Sequence, residues 1–184
     1  QEYFAARHLV NAFERSEYPV IERIKTQKYN PRFALMLTFA SGLVIATENS
    51  TTINRFWDMI LSEPLDLVGF QHFRLVVRCL DESDCSHFIS QKDQLISFIN
   101  NWIKYISSFK HRILQEKIQE IFTTCTSLPN DPTFQNNILK LIEVNDPITT
   151  KGALLLVSHI NITKSILPLI STLSLQLQHA DSTI

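Results

Sequence analysis

Apolar residues return at helical spacing along almost the whole chain. Phe4, Ala5, Leu9, Ala12 and Phe13 read as one stripe. Ile53, Phe56, Trp57, Ile60 and Leu61 follow the i, i+3, i+4, i+7, i+8 rule, with Arg55 and Asp58 off the stripe. Leu95, Ile96, Ile99, Trp102, Ile103 and Ile106 repeat the pattern, as do Leu114, Ile118, Ile121, Phe122 and Cys125. A last stripe runs through Ile162, Ile166, Leu169, Ile170, Leu173 and Leu177. No Asn-Gly or Asp-Gly hairpin signal occurs, so sheet has little support.

The polar breaks between stripes are short. Asn30-Pro31, Asn130-Asp131-Pro132 and Asn145-Asp146-Pro147 each place a capping side chain before a proline at the first helical position. Proline is tolerated there because its missing N–H would have had no partner in the helix. Glu63-Pro64 and Val68-Gly69 bracket a tight link. The pattern predicts about ten helices, at 1–14, 18–28, 31–46, 51–62, 70–82, 87–107, 111–127, 131–144, 147–159 and 162–178. The expected class is all-α. Short links make successive helices antiparallel neighbours. Phe33, Leu35, Met36, Leu37, Phe39, Leu43, Val44 and Ile45 cover more than one face of the third helix, which predicts cover on both sides. That suits the inner row of stacked antiparallel hairpins in a HEAT-like α-solenoid, although no fixed-period repeat is visible.

Composition narrows the function classes. Among 184 residues, Lys+Arg is 17 and Asp+Glu is 18, a formal net charge of -1, so no excess of positive charge is available for nucleic acid. Three glycines, Gly42, Gly69 and Gly152, stand far apart, whereas phosphate-cradling loops need them clustered. Cys79, Cys85 and Cys125 are too few for a disulfide framework and fit a reducing, cytoplasmic setting. No signal peptide is visible, and no membrane span is expected. The 15 uncharged residues from Phe33 to Thr47 fall short of the ~20 a spanning helix needs. Lys164 and Pro168 interrupt the stretch from Gly152 to Gln178.

Candidate chemistry is thin. His8, His72, His87, His111, His159 and His179 include no pair at HExxH spacing. Cys79, Cys85 and His87, with Asp81 and Asp84 between, match no common zinc pattern. Asp81, Glu82 and Asp84 read as a solvated acidic helix end. Lys25, Lys28 and Arg32 form a basic patch suited to neighbouring carboxylates or a helix C-terminus. Trp57 and Trp102 read as core filling. Asn49-Ser50-Thr51 and Asn161-Ile162-Thr163 are sequons of a kind that chance produces often. No catalytic, cofactor-binding or metal residue is assigned.

One resemblance goes further. The opening Gln1-Glu2-Tyr3-Phe4-Ala5-Ala6-Arg7-His8-Leu9-Val10 resembles the segment that closes the ATPase module of NACHT proteins. Two further blocks resemble the helical arm that follows that module. One is Lys28-Tyr29-Asn30-Pro31-Arg32-Phe33 leading into Phe39-Ala40-Ser41-Gly42-Leu43. The other is Glu63-Pro64-Leu65-Asp66-Leu67-Val68-Gly69 leading into Arg78-Cys79-Leu80-Asp81-Glu82. Leu65 and Ser41 depart from the family pattern. The resemblance implies that 1–28 is the end of the NACHT-associated helical region and 29–184 a HEAT-like arm. It implies a fragment of a signal-transduction ATPase whose phosphate loop and nucleotide-sensing histidine lie upstream of Gln1, so His8 is not that histidine. It also implies a non-catalytic regulatory or sensor role. ATP or ADP would be bound only by the longer parent, itself a possible oligomer, and the arm's partner would be that ATPase module or another protein. The alternative is a free-standing helical-repeat scaffold that binds proteins.

Overall fold

The computed structural model describes residues 1–66, 69–108, 112–143, 150 and 153–154. Among them are eight α-helices, one 3₁₀ turn and no strand. The helices are α1 (Glu2–Glu14), α2 (Tyr18–Thr26), α3 (Pro31–Ala46), α4 (Ser50–Leu61), α5 (Phe70–Glu82), α6 (Lys92–Ser108), α7 (Arg112–Thr123) and α8 (Pro132–Glu143). The expected helices at 147–159 and 162–178 lie outside the described residues, apart from isolated positions.

Local chemistry accounts for where several helices begin. The Asn30 side chain accepts from the Arg32 N–H at 3.1 Å, with Pro31 in the first turn of α3. Asp131 does the same for α8, accepting from Thr133 and Phe134 N–H at 2.9 and 3.0 Å. Asn49 caps α4 by accepting from Thr51 and Thr52, so the sequon asparagine serves as a helix cap. Several turns after helices use no glycine. Ser16, Glu48, Asp84 and Cys85 stand in the left-handed region with φ of 59°, 53°, 54° and 45°.

Residue contacts divide the chain into two compact units, Gln1–Leu95 and Ile96–Ile184. In the first, α3 is the hub. Its broadest interfaces are with α1 and α5, and it also meets α4. α4 in turn contacts α1 and α2. Leu37, Ala40 and Val44 of α3 are fully buried together with Phe13, Ile53, Phe56, Trp57, Phe73 and Leu80. This explains why α3 is apolar on more than one side. Phe13 and Trp57 both meet Phe56 edge-on, at 5.9 and 5.7 Å between ring centres.

The second unit has a smaller described core. Ile96, Ile99, Ile103, Ile118, Ile121, Phe122, Leu128, Phe134 and Ile138 are buried, and Phe122 stacks on Phe134 at 5.8 Å. The turn at Leu128–Asn130 is tied down by side-chain amides. Asn130 donates to Thr126 O at 2.7 Å and Gln135 to Pro129 O at 2.9 Å.

Three expectations change. On α1 the buried face is Ala6, Leu9, Val10, Ala12 and Phe13, while Phe4 is 75 % exposed and Ala5 is exposed. Positions 6, 9, 10 and 13 form a complete i, i+3, i+4, i+7 set, which leaves Phe4 outside. Helix α6 begins at Lys92 rather than 87, because the Ser86 hydroxyl accepts from Phe88 N–H at 3.2 Å and holds a local turn there. Helix α7 ends at Thr123 rather than 127.

Candidate functional site

Among the described residues, a buried polar cluster that gathers side chains from several elements sits where the α2–α3 turn meets the α4–α5 connection. Lys28 is 2 % exposed. Its ammonium donates to Ile60 O at 2.9 Å, to Met59 O at 3.5 Å and to the Ser62 carbonyl. These carbonyls belong to the C-terminal end of α4, whose last turn lacks partners of its own and carries the negative end of the helix dipole. Burial, helped by nearby Lys25, pushes Lys28 down to about 8. The three carbonyl acceptors hold it charged at neutral pH. The expected role of this basic patch at a helix C-terminus is thus met by Lys28, whereas Lys25 pairs with Glu22 at 3.4 Å and Arg32 is exposed.

Next to Lys28, the Tyr29 hydroxyl lies 3.0 Å from His72 Nδ1, and the two rings meet edge-on at 6.1 Å. The Asp66 carboxylate is near enough to act on this hydroxyl electrostatically. Asp66 itself accepts from Gln71 N–H at 2.8 Å through its carboxylate. Burial keeps His72 below its ordinary range, with the Lys28 charge adding to the effect and Asp66 opposing it. Burial pushes Tyr29 up.

A second junction joins α3 to α5. The Cys79 thiol lies 3.7 Å from Leu37 O. Burial pushes it up to about 12, which makes it unreactive as a nucleophile. Gly42 lets the end of α5 approach closely: a Cβ there would stand 3.3 Å from both Glu82 O and Glu82 Cγ. The blocks quoted for the resemblance therefore meet in space where Gly42 lies against Glu82, and Lys28 reaches Ser62, the residue just before the second block.

Helix α4 also braces α1. Arg55 donates to Phe13 O at 3.0 Å and to the Ser16 hydroxyl at 2.7 Å, at the C-terminal end of α1. Off-stripe position 55 is thus an inter-helix cap rather than a solvated charge.

The exposed surface of the first unit offers a contiguous aromatic patch. Tyr3 is 46 % and Phe4 75 % exposed on α1; their rings lie 6.0 Å apart, and Tyr3 meets Phe39 of α3 at 6.4 Å. Leu35, 51 % exposed, lies one turn before Phe39 on the same side of α3. Tyr18, Leu65, Phe88, Tyr105 and Ile113 are exposed elsewhere.

Among the described residues, no group of three or more His, Cys, Asp or Glu side chains could hold a metal ion. Cys79, Cys85 and Cys125 are buried and form no disulfide, and His87 is exposed. Burial and the neighbouring Asp81 charge push Glu82 up. Trp57 fills the core as expected, while Trp102 is half-buried. Among the described residues, no helix is long and apolar enough to cross a membrane. His111, His159 and His179, and the sequon at Asn161, lie outside the described residues.

The Tyr29–His72 and Arg55–Phe13 contacts were not legible in the sequence, since each joins residues about 40 positions apart with no motif spacing between them. No family model matches the chain, and no curated protein or solved structure matches it.

Proposed function

We propose that this chain is a non-catalytic regulatory segment of a NACHT-type signalling ATPase, working through protein contacts made by its helices. The observation that carries the reading is the aromatic patch on α1 and α3. Tyr3 and Phe4 belong to the opening segment that resembles the end of a NACHT module, and both lie at the surface beside Phe39 and Leu35. A segment that closes one body and begins another needs such a face for its neighbour to cover. The mutual packing of the other two resembling blocks supports treating them as one structural unit.

The arm would be HEAT-like. Alternate helices α1, α3 and α5 packing in series, with α2 and α4 against them, is what a two-row stack of hairpins would produce. Such a stack switches an attached module only if a ligand or partner prefers one arrangement of the two. Nucleotide would be bound by the module and not by this segment, and the setting would be cytoplasmic.

The coding sequence upstream of Gln1 tests the proposal. A strand, a glycine-rich phosphate loop and a helix encoded there are expected. With that module in hand, the double substitution Tyr3→Ser, Phe4→Ser should weaken its contact with this chain at least tenfold in a binding titration while leaving the helical circular dichroism intact. An upstream frame without a phosphate loop would favour the free-standing protein-binding scaffold instead.

A further inference from the structure

We propose that the patch of Tyr3, Phe4, Leu35 and Phe39 takes an apolar protein segment bordered by carboxylates, with Arg7 and Arg32 selecting the acidic border. The inference rests on the reading that this patch meets a protein, and it adds the chemistry of what is met.

Charge around the patch carries the inference. Arg7 follows Phe4 by three residues and Tyr3 by four on α1, so it stands on their side of the helix and is exposed with them. Arg32 precedes Leu35 by three residues on α3 and is likewise exposed. Among the described residues, neither guanidinium has an ion pair or a hydrogen bond. Helix α3 contains no acidic residue, and the carboxylates of α1, Glu2 and Glu14, stand at its two ends. Glu2 suits the start of α1, where the positive end of the helix dipole favours an anion. Arg32 has no such justification. It lies in the first turn of α3, where the same dipole disfavours a cation. Its charge therefore does not serve the helix and stands open to a partner.

Other occupants meet this charge badly. A purely apolar partner would cover the two guanidinium groups without giving them an acceptor, and a desolvated charge left unpaired is costly. A second copy seated by twofold symmetry would bring the same arginines into one contact, like charge toward like. Anionic membranes hold clusters of roughly four to eight Lys or Arg, against Arg7 and Arg32 here. Carboxylates match instead. A guanidinium presents paired N–H donors to the two oxygens of a carboxylate, and Tyr and Arg are among the side chains that most often anchor protein interfaces.

Titrating the full chain with three synthetic helical peptides tests this. All carry the same leucine stripe, bordered by Glu, by Gln or by Lys. Amide shifts of Tyr3, Phe4, Leu35 and Phe39 in magnetic resonance report binding. At low salt the Glu peptide should bind about tenfold more tightly than the Gln peptide, since each rim ion pair contributes a few fold, and the Lys peptide should bind more weakly still. Raising the salt should close the gap. In the double variant Arg7→Gln, Arg32→Gln, with helical circular dichroism unchanged, the Glu peptide should bind no better than the Gln peptide. The Gln peptide should bind that variant as it binds the parent.

Equal affinity for all three peptides at these residues would keep the protein-contact reading and overturn the acidic partner. Shifts confined to other residues, or absent with every peptide, would overturn both. A stronger response of the same residues to vesicles containing phosphatidylserine would assign the patch to a membrane. A dimer of the chain that Tyr3→Ser, Phe4→Ser abolishes would assign it to a second copy. Either result overturns the proposal.

Discussion

Lys28 marks both the reach of sequence reasoning at a single residue and its limit. A basic side chain at the end of a predicted helix, just before an Asn-Pro cap, suits the C-terminus of a neighbouring helix, and α4 is that helix. Which helix it would be, and that Tyr29 beside it would meet His72, depends on the fold. Lys28→Met keeps most of the length of the side chain but removes the ammonium from the carbonyls of Ile60 and Ser62, while Met59 O keeps the Ser62 hydroxyl as its donor. It should lower the free energy of unfolding in urea by ~2 kcal/mol, since charge-assisted hydrogen bonds are lost and the relief of a buried charge is regained. The pH dependence has a definite sign. The folded state releases the Lys28 proton near 8 and the unfolded state near 10.5. Between those values the unfolded chain binds more protons, so stability contributed by this site rises with pH. The rise should be present in wild type and absent in Lys28→Met when unfolding curves are compared from pH 7.5 to 9.5.

At the scale of elements, hydrophobic period and capping chemistry predicted where most helices lie. The starts of α3, α4, α5 and α8 fall at or within one residue of expectation, because Asn30, Asn49 and Asp131 cap through their side chains and Gly69 precedes α5 with φ 77°. The differences arise where local polar bonds or competing stripes intervene. Ser86 turns 87–91 away from helix, and a fuller stripe at Ala6, Leu9, Val10 and Phe13 displaces the one drawn through Phe4. Helix α4 carries the clearest test of its stripe. Trp57 is fully buried against Phe56, so Trp57→Ala should destabilise the protein by ~3–5 kcal/mol in urea titrations followed by circular dichroism. A mutant that unfolds with the parent midpoint would remove α4 from the core.

For the whole molecule, helix content was readable and the division of contacts was not. Periodicity marks which side of each helix is covered, but not which neighbour covers it. The boundary between the two compact units falls inside α6, just after the polar run at 90–94, and no proline or glycine marks it. Each unit carries its own buried thiol reporter, Cys79 in the first and Cys125 in the second. Segments with separate cores open with separate free energies. Thiol labelling under native conditions should therefore respond unequally to Trp57→Ala. Cys79 should be labelled at least tenfold faster than in the parent, with Cys125 changed less than twofold, as read by mass spectrometry of the labelled peptides. Equal acceleration at both sites would mean that the units open as one.

The turn after α3 offers a practical route to a hardier protein. Glu48 holds a left-handed backbone at φ 53° with its side chain in solvent, and its N–H bonds to Ile45 O at 3.0 Å. A residue without a Cβ fits that conformation at no steric penalty, so Glu48→Gly should gain ~1 kcal/mol and raise the melting temperature by roughly 2–4 °C. The equivalent change at Ser16 would forfeit the hydroxyl that receives Arg55, so the same backbone remedy should yield less there. Thermal resistance in this chain is thus open to improvement at a solvent-facing bend, with no alteration to its interior.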